Sequence, residues 1–79
     1  MTDPIYEKLT SVFRDVLDDD SIVLRPDLTA KEVEGWDSLT HIRLMLRVER
    51  AFSVRLTASE IGKLKNVGDL ADLLQRKIR

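Results

Sequence analysis

The chain contains no cysteine, which excludes disulfides, thiolate metal sites and cysteine nucleophiles. It has a single histidine, His41, so a histidine-based metal site or catalytic triad has almost nothing to draw on. No apolar run approaches the length needed to span a bilayer. The first residues, MTDPIYEKL, lack the basic start and apolar core of a signal peptide, so the expected compartment is the cytoplasm.

What is present suits one small folded domain. The 79 residues read as a single unit, 1–79, with a modest core. Hydrophobic residues make up 43% and charged residues 34%, a balance of folded rather than disordered chains. The net charge of −1 hides an asymmetry: residues 1–38 hold ten Asp/Glu against four Lys/Arg, and residues 39–79 hold four against nine. Such a dipolar chain can pair its own halves or present a charged face to a partner. The cationic residues stand beside leucines rather than aromatics, and nucleic acid is not an expected partner.

Helical periodicity dominates. Ile5, Leu9, Val12, Phe13 and Val16 form one stripe over Pro4–Leu17, with Asp3 as the expected N-cap. Residues 18–37 break the pattern with three aspartates, Pro26 and Gly35. Thr29-x-x-Glu32 has the form of a capping box opening a brief helix. A connection of this length is functional or docked, and Val23, Leu24, Leu28, Val33 and Trp36 are its expected anchors. A second helix is predicted from about Ser38 to Ala51. A short third follows the capping box Thr57-x-x-Glu60, with Gly62 as its stop. A fourth starts after Asn66 and carries Val67, Leu70, Ala71, Leu74 and Ile78. Basic residues crowd its end, as the helix dipole favours. The fold class is all-α: a four-helix bundle of three main helices and one short one, with a long first loop.

The second helix has two apolar arcs. With Ser38 set at zero and about 100° per residue, Leu44, Met45, Val48, Ala51 and Phe52 fall between roughly 220° and 340°, an ordinary core face. His41 falls on the same arc and reads as a partly buried packing residue with one hydrogen bond. Leu39, Ile42 and Leu46 lie elsewhere, at roughly 40° to 100°, beside Arg43, Arg47 and Arg50. This smaller stripe either packs under the long loop or docks a partner, apolar at the centre and arginine at the rim.

Ser38 opens that helix. Local pattern makes Ser38 or Asp37 an N-cap. The same position tolerates an attached phosphate, because a helix N-terminus offers N–H donors and a positive dipole end. Nothing nearby supplies the base and oxyanion site that serine catalysis requires, so Ser38 reads as a substrate rather than a catalyst.

The sequence GWDSL at residues 35–39, the pattern IRLMLRVERAF after it, and LKNVGDLADLL near the end resemble the phosphopantetheine-binding acyl carrier proteins. The likeness extends over about Pro4 to Ile78. It implies that a separate Mg²⁺-dependent phosphopantetheinyl transferase moves 4′-phosphopantetheine from coenzyme A onto Ser38, with Asp37, Leu39 and Ile42 framing the attachment. The arm's thiol then holds acyl intermediates as thioesters, which accounts for a chain with neither cysteine nor base. Partners implied are acyl-activating, acyltransferase or ketosynthase-type enzymes, met by a monomer through Leu39, Ile42, Arg43, Leu46, Arg47 and Arg50.

One departure stands out. Carriers of primary fatty acid synthesis usually have an acidic second helix; this one sets Arg43, Arg47 and Arg50 against Glu49. Enzymes with basic docking patches should bind it poorly. The resemblance therefore points to specialised lipid, polyketide-like or secondary-metabolite synthesis, with partners offering an apolar pocket and an acidic rim. Two alternatives stay open: an aminoacyl or peptidyl carrier working with an adenylating enzyme, and an unmodified helical interaction module. For cargo, the gap between the second and third helices is the expected opening, lined by Leu46, Leu56 and Ile61.

Overall fold

The apolar stripe of the first segment becomes helix α1, Pro4–Leu17. Leu9, Val12 and Phe13 are buried along it, while Ile5 and Val16 are partly buried. The structure, a computed structural model, describes residues 4–78; Asp3, the expected cap of α1, and Arg79 lie outside the described residues. Helices α2 (Ser38–Phe52), α3 (Ala58–Gly62) and α4 (Val67–Lys77) follow, with one 3-10 turn at Ala30–Glu32. Among the described residues there is no strand, and no helix is long and apolar enough to cross a membrane. The predicted four-helix bundle is the observed fold, with α1 packed on both α2 and α4.

Leu9, Phe13, Leu44, Val48, Val67 and Leu74 are fully enclosed and come from α1, α2 and α4. Burial of each such side chain contributes about 1.5–3 kcal/mol. Leu73, absent from the expected stripe of α4, is also buried, while Ile78 is exposed.

The caps explain the helix boundaries. Thr57 and Glu60 form the predicted capping box, each side chain bonded to the other's backbone N–H. Asn66 Oδ1 accepts from the Asp69 N–H at 2.8 Å, as predicted for α4. α2 runs one residue past Ala51 and closes on Ser53, which adopts the left-handed conformation at φ 55°. α3 ends at Gly62, with Lys63 right-handed at its C-cap, so the glycine marks the stop without a left-handed turn.

Two expectations for the long loop are corrected. Thr29 stands before the 3-10 turn without a side-chain bond to its backbone, because the Glu32 carboxylate meets the Thr29 hydroxyl and pairs with Arg25. Val23 is 72% exposed and anchors nothing; Ile22 is buried in its place. Where extended chain passes over a core, neighbouring side chains alternate faces, and Ile22 and Leu24 turn inward.

The loop is held by its backbone as well. Arg14 Nε donates to the Ile22 carbonyl at 3.0 Å. The first N–H groups of α4 donate back into the loop, Val67 to the Leu28 carbonyl at 3.0 Å and Gly68 to that of Pro26 at 2.9 Å. Donors that a helix start leaves orphaned are thus satisfied from some 40 residues earlier in the chain.

Candidate functional site

The approach to α2 is set by Gly35, at φ 87°, a conformation that L side chains rarely adopt. Trp36 follows and is pinned on two sides. Its ring meets Phe13 edge-to-face, centroids 5.1 Å apart, and its Nε1–H donates to His41 Nδ1 at 3.1 Å. The chain then runs extended through Asp37 into the helix.

Asp37 is the cap of α2. Its Oδ1 accepts from the Thr40 N–H at 2.8 Å, and its carbonyl accepts from His41 N–H at 2.8 Å. The hydrogen bonds from Thr40 hold its carboxyl below the ordinary 3.8. Ser38 is consequently released from capping. It is the first residue of α2, exposed, and its hydroxyl has no hydrogen-bond partner among the described residues.

His41 does not activate that hydroxyl. It is partly buried with one hydrogen bond, as its arc implied, and desolvation lowers its pKa below 6.5. A neutral imidazole whose Nδ1 accepts a bond carries its proton on Nε2. Both nitrogens are therefore committed, and neither can take a proton from Ser38.

Beyond Ser38, Leu39, Ile42 and Leu46 are 60%, 58% and 57% exposed. They do not pack under the long loop. Arg43, Arg47 and Arg50 are exposed beside them. Of this set, Arg43, Leu46, Arg47 and Arg50 line one open cleft together with Val16, Val54 and Arg55; Leu39 and Ile42 stand nearer Ser38 and outside it.

The residues expected to line a cargo gap do not come together. Leu46 faces solvent, and Leu56 belongs to the core. The small enclosed space beside α2, about 50 Å³, is lined by Trp36, His41, Met45, Leu64, Val67 and Leu70 among others. It holds no more than one or two waters at about 30 Å³ each. The Trp36–His41 pair was not among the expected contacts, although an indole five residues from the only imidazole was its signal. Also missed was the bond of Glu49, whose carboxylate accepts from the Leu56 N–H at 2.8 Å and forms no ion pair with the arginines beside it.

A family model described as the phosphopantetheine attachment site matches residues 7–74. The chain belongs to the acyl carrier proteins of this family. It is 31% identical to an acyl carrier protein of Thermosynechococcus vestitus over 74 residues, covering 94% of this chain and 91% of that one. A second acyl carrier protein, from Phytoplasma mali, is 29% identical over 76 residues, covering 94% and 88%. The solution structure of holo acyl carrier protein from Geobacter metallireducens superposes with a TM-score of 0.90 at 45% identity, covering 96% of this chain and 87% of that one. Acyl carrier proteins are carriers rather than catalysts, and the cofactor here is covalent 4′-phosphopantetheine. An exposed, unbonded hydroxyl on the first turn of a helix, at the positive end of its dipole, fits a phosphate ester.

Proposed function

We propose that Ser38 bears the 4′-phosphopantetheine arm, and that the chain works as a monomeric, cytoplasmic carrier of acyl groups for specialised lipid, polyketide-like or secondary-metabolite synthesis. The observation that carries the attachment is the division of labour at the start of α2: Asp37 takes the cap and leaves the Ser38 hydroxyl exposed. The arm supplies a terminal thiol on which acyl groups ride as thioesters. Asp37 fixes the first turn, Ser38 provides the oxygen, and Leu39 and Ile42 give the arm an apolar flank where it leaves the helix.

Partners would be a phosphopantetheinyl transferase and acyl-activating, acyltransferase or ketosynthase-type enzymes. They would meet the exposed face formed by Leu39, Ile42 and Leu46 with Arg43, Arg47 and Arg50. The charge of that face supports the specialised assignment, because a basic docking patch would meet arginine. The test is direct. Apo protein is incubated with coenzyme A, Mg²⁺ and a broad-specificity transferase, then weighed by mass spectrometry. A gain of one phosphopantetheine, absent in Ser38→Ala, is the expected result; no gain in the wild-type chain defeats the proposal. For the pathway, tight binding to enzymes of primary fatty acid synthesis that carry basic docking patches would defeat the specialised reading.

A further inference from the structure

The four cationic side chains Arg43, Arg47, Arg50 and Arg55, which line one cleft beside α2, are not equivalent. Arg47 is paired with Asp15 of α1. Arg43, Arg50 and Arg55 have no acidic partner among the described residues. They stand around an open cleft of about 800 Å³ whose apolar contributors are Val16, Leu46 and Val54. Both carboxylates bordering the cleft are engaged, Asp15 by Arg47 and Glu49 by the Leu56 N–H. Four guanidiniums against two carboxylates leave the cleft net positive over an aliphatic floor, with Arg43, Arg50 and Arg55 outside any ion pair among the described residues.

We propose that this cleft receives an acidic amphipathic helix of a partner protein. An aliphatic side chain of that helix rests on Leu46 and Val54, and carboxylates on either side of it pair with Arg43, Arg50 and Arg55. The proposal rests on the docking reading of α2 given above and is independent of what Ser38 carries. It also reverses part of the expected contact: here the carrier supplies the concave surface and the partner the knob. The floor argues for a protein segment, because a free phosphate or carboxylate gains nothing from Leu46, Val54 or Val16. Concavity argues against a membrane, whose flat surface would leave that floor uncovered. Guanidinium forks match carboxylates two bonds at a time, and steering by such a patch is salt-dependent. Arg43 to Arg50 lie about 7–18 Å from Ser38 along the helix, at 1.5 Å per residue. A partner gripping here leaves the start of α2 free.

The test uses the full chain and a fluorescein-tagged amphipathic peptide of about 18 residues with a leucine face flanked by glutamates; in a second peptide lysines replace the glutamates. Anisotropy gives affinity, and amide shifts of the ¹⁵N-labelled protein give the site. The glutamate peptide should bind, with shifts gathered at Val16 and over residues 43–55, and should weaken several-fold between about 50 and 300 mM salt. The double variant Arg50→Glu/Arg55→Glu should bind about tenfold more weakly. Asp15→Asn, which releases Arg47, should bind about threefold more tightly. Thermal melts monitor folding; if the charge-reversed variant does not fold, Arg50→Gln/Arg55→Gln replaces it. Equal affinity for the two peptides, shifts confined to another face, or binding to phosphatidylglycerol vesicles without binding to the glutamate peptide each overturn the proposal. Ser38→Ala should bind the peptide as the wild type does. Failure of the wild type to accept phosphopantetheine would remove the Ser38 assignment and leave this result standing.

Discussion

Trp36 donates its indole N–H to Nδ1 of His41, 3.1 Å away, and the two rings lie nearly parallel at 6.0 Å. The bond needs a lone pair on Nδ1, so protonation of His41 abolishes it. Burial lowers the pKa of the folded form below 6.5. The unfolded chain then takes up the proton first, and stability present above pH 6.5 is lost as pH falls from there towards the folded pKa, levelling below it. Urea unfolding followed by Trp36 fluorescence should give a lower midpoint at pH 5.5 than at pH 7.5. His41→Gln should flatten that difference.

Asp37 and Ser38 should separate cleanly. Ser38→Ala removes a hydroxyl that bonds to nothing described, so stability should change by no more than about 0.5 kcal/mol. Asp37→Ala removes the Thr40 bond and should lower the melting temperature at pH 7. Its carboxyl pKa is depressed on folding, so its contribution is complete above 3.8 and disappears as pH falls through the folded value. The gap between wild-type and Asp37→Ala melting temperatures should therefore close in acid.

Two glycines offer opposite outcomes. A Cβ at Gly68 would lie 2.9 Å from the Pro26 carbonyl oxygen and 3.2 Å from Pro26 Cβ. Backbone cannot swing aside as a side chain can, so Gly68→Ala should destabilise by about 1–3 kcal/mol in spite of alanine's helix preference of about 1 kcal/mol. A Cβ at Gly62 meets nothing within 4 Å, and Gly62→Ala should be neutral or stabilising by up to about 1 kcal/mol. Thermal melts of the two variants decide both.

Phe13 is fully buried and carries Trp36 on its edge. Phe13→Ala should remove about 3–5 kcal/mol, a large share of the stability of so small a domain. The Trp36 emission should shift to the red as its packing is lost.

What the sequence disclosed was local. The α1 stripe, the Thr57 box and the Asn66 cap each depend on residues within one or two turns, and each formed as predicted. The solvent-facing stripe of Leu39, Ile42 and Leu46 was legible for the same reason: helical geometry alone sets those residues apart from Leu44 and Val48. Hidden features depended on partners across a turn or loop, seven residues off in two cases, where no helical period fixes the geometry. Glu32 abandoned a capping box for Arg25, and the Glu49 carboxylate was drawn to the Leu56 amide. Arg55 joined the arginines of α2 only because the chain turns back through Ser53 after the helix. At the site, the pattern left Ser38 and Asp37 as rival caps; the bond to Thr40 distinguishes them.

The grip of Pro26 and Leu28 on the first turn of α4 makes the crossover connection a strut rather than slack rope. Freeing that stretch strips α4 of two of its opening bonds, so amide protons at Val67 and Gly68 should exchange with solvent only when the strut itself lets go.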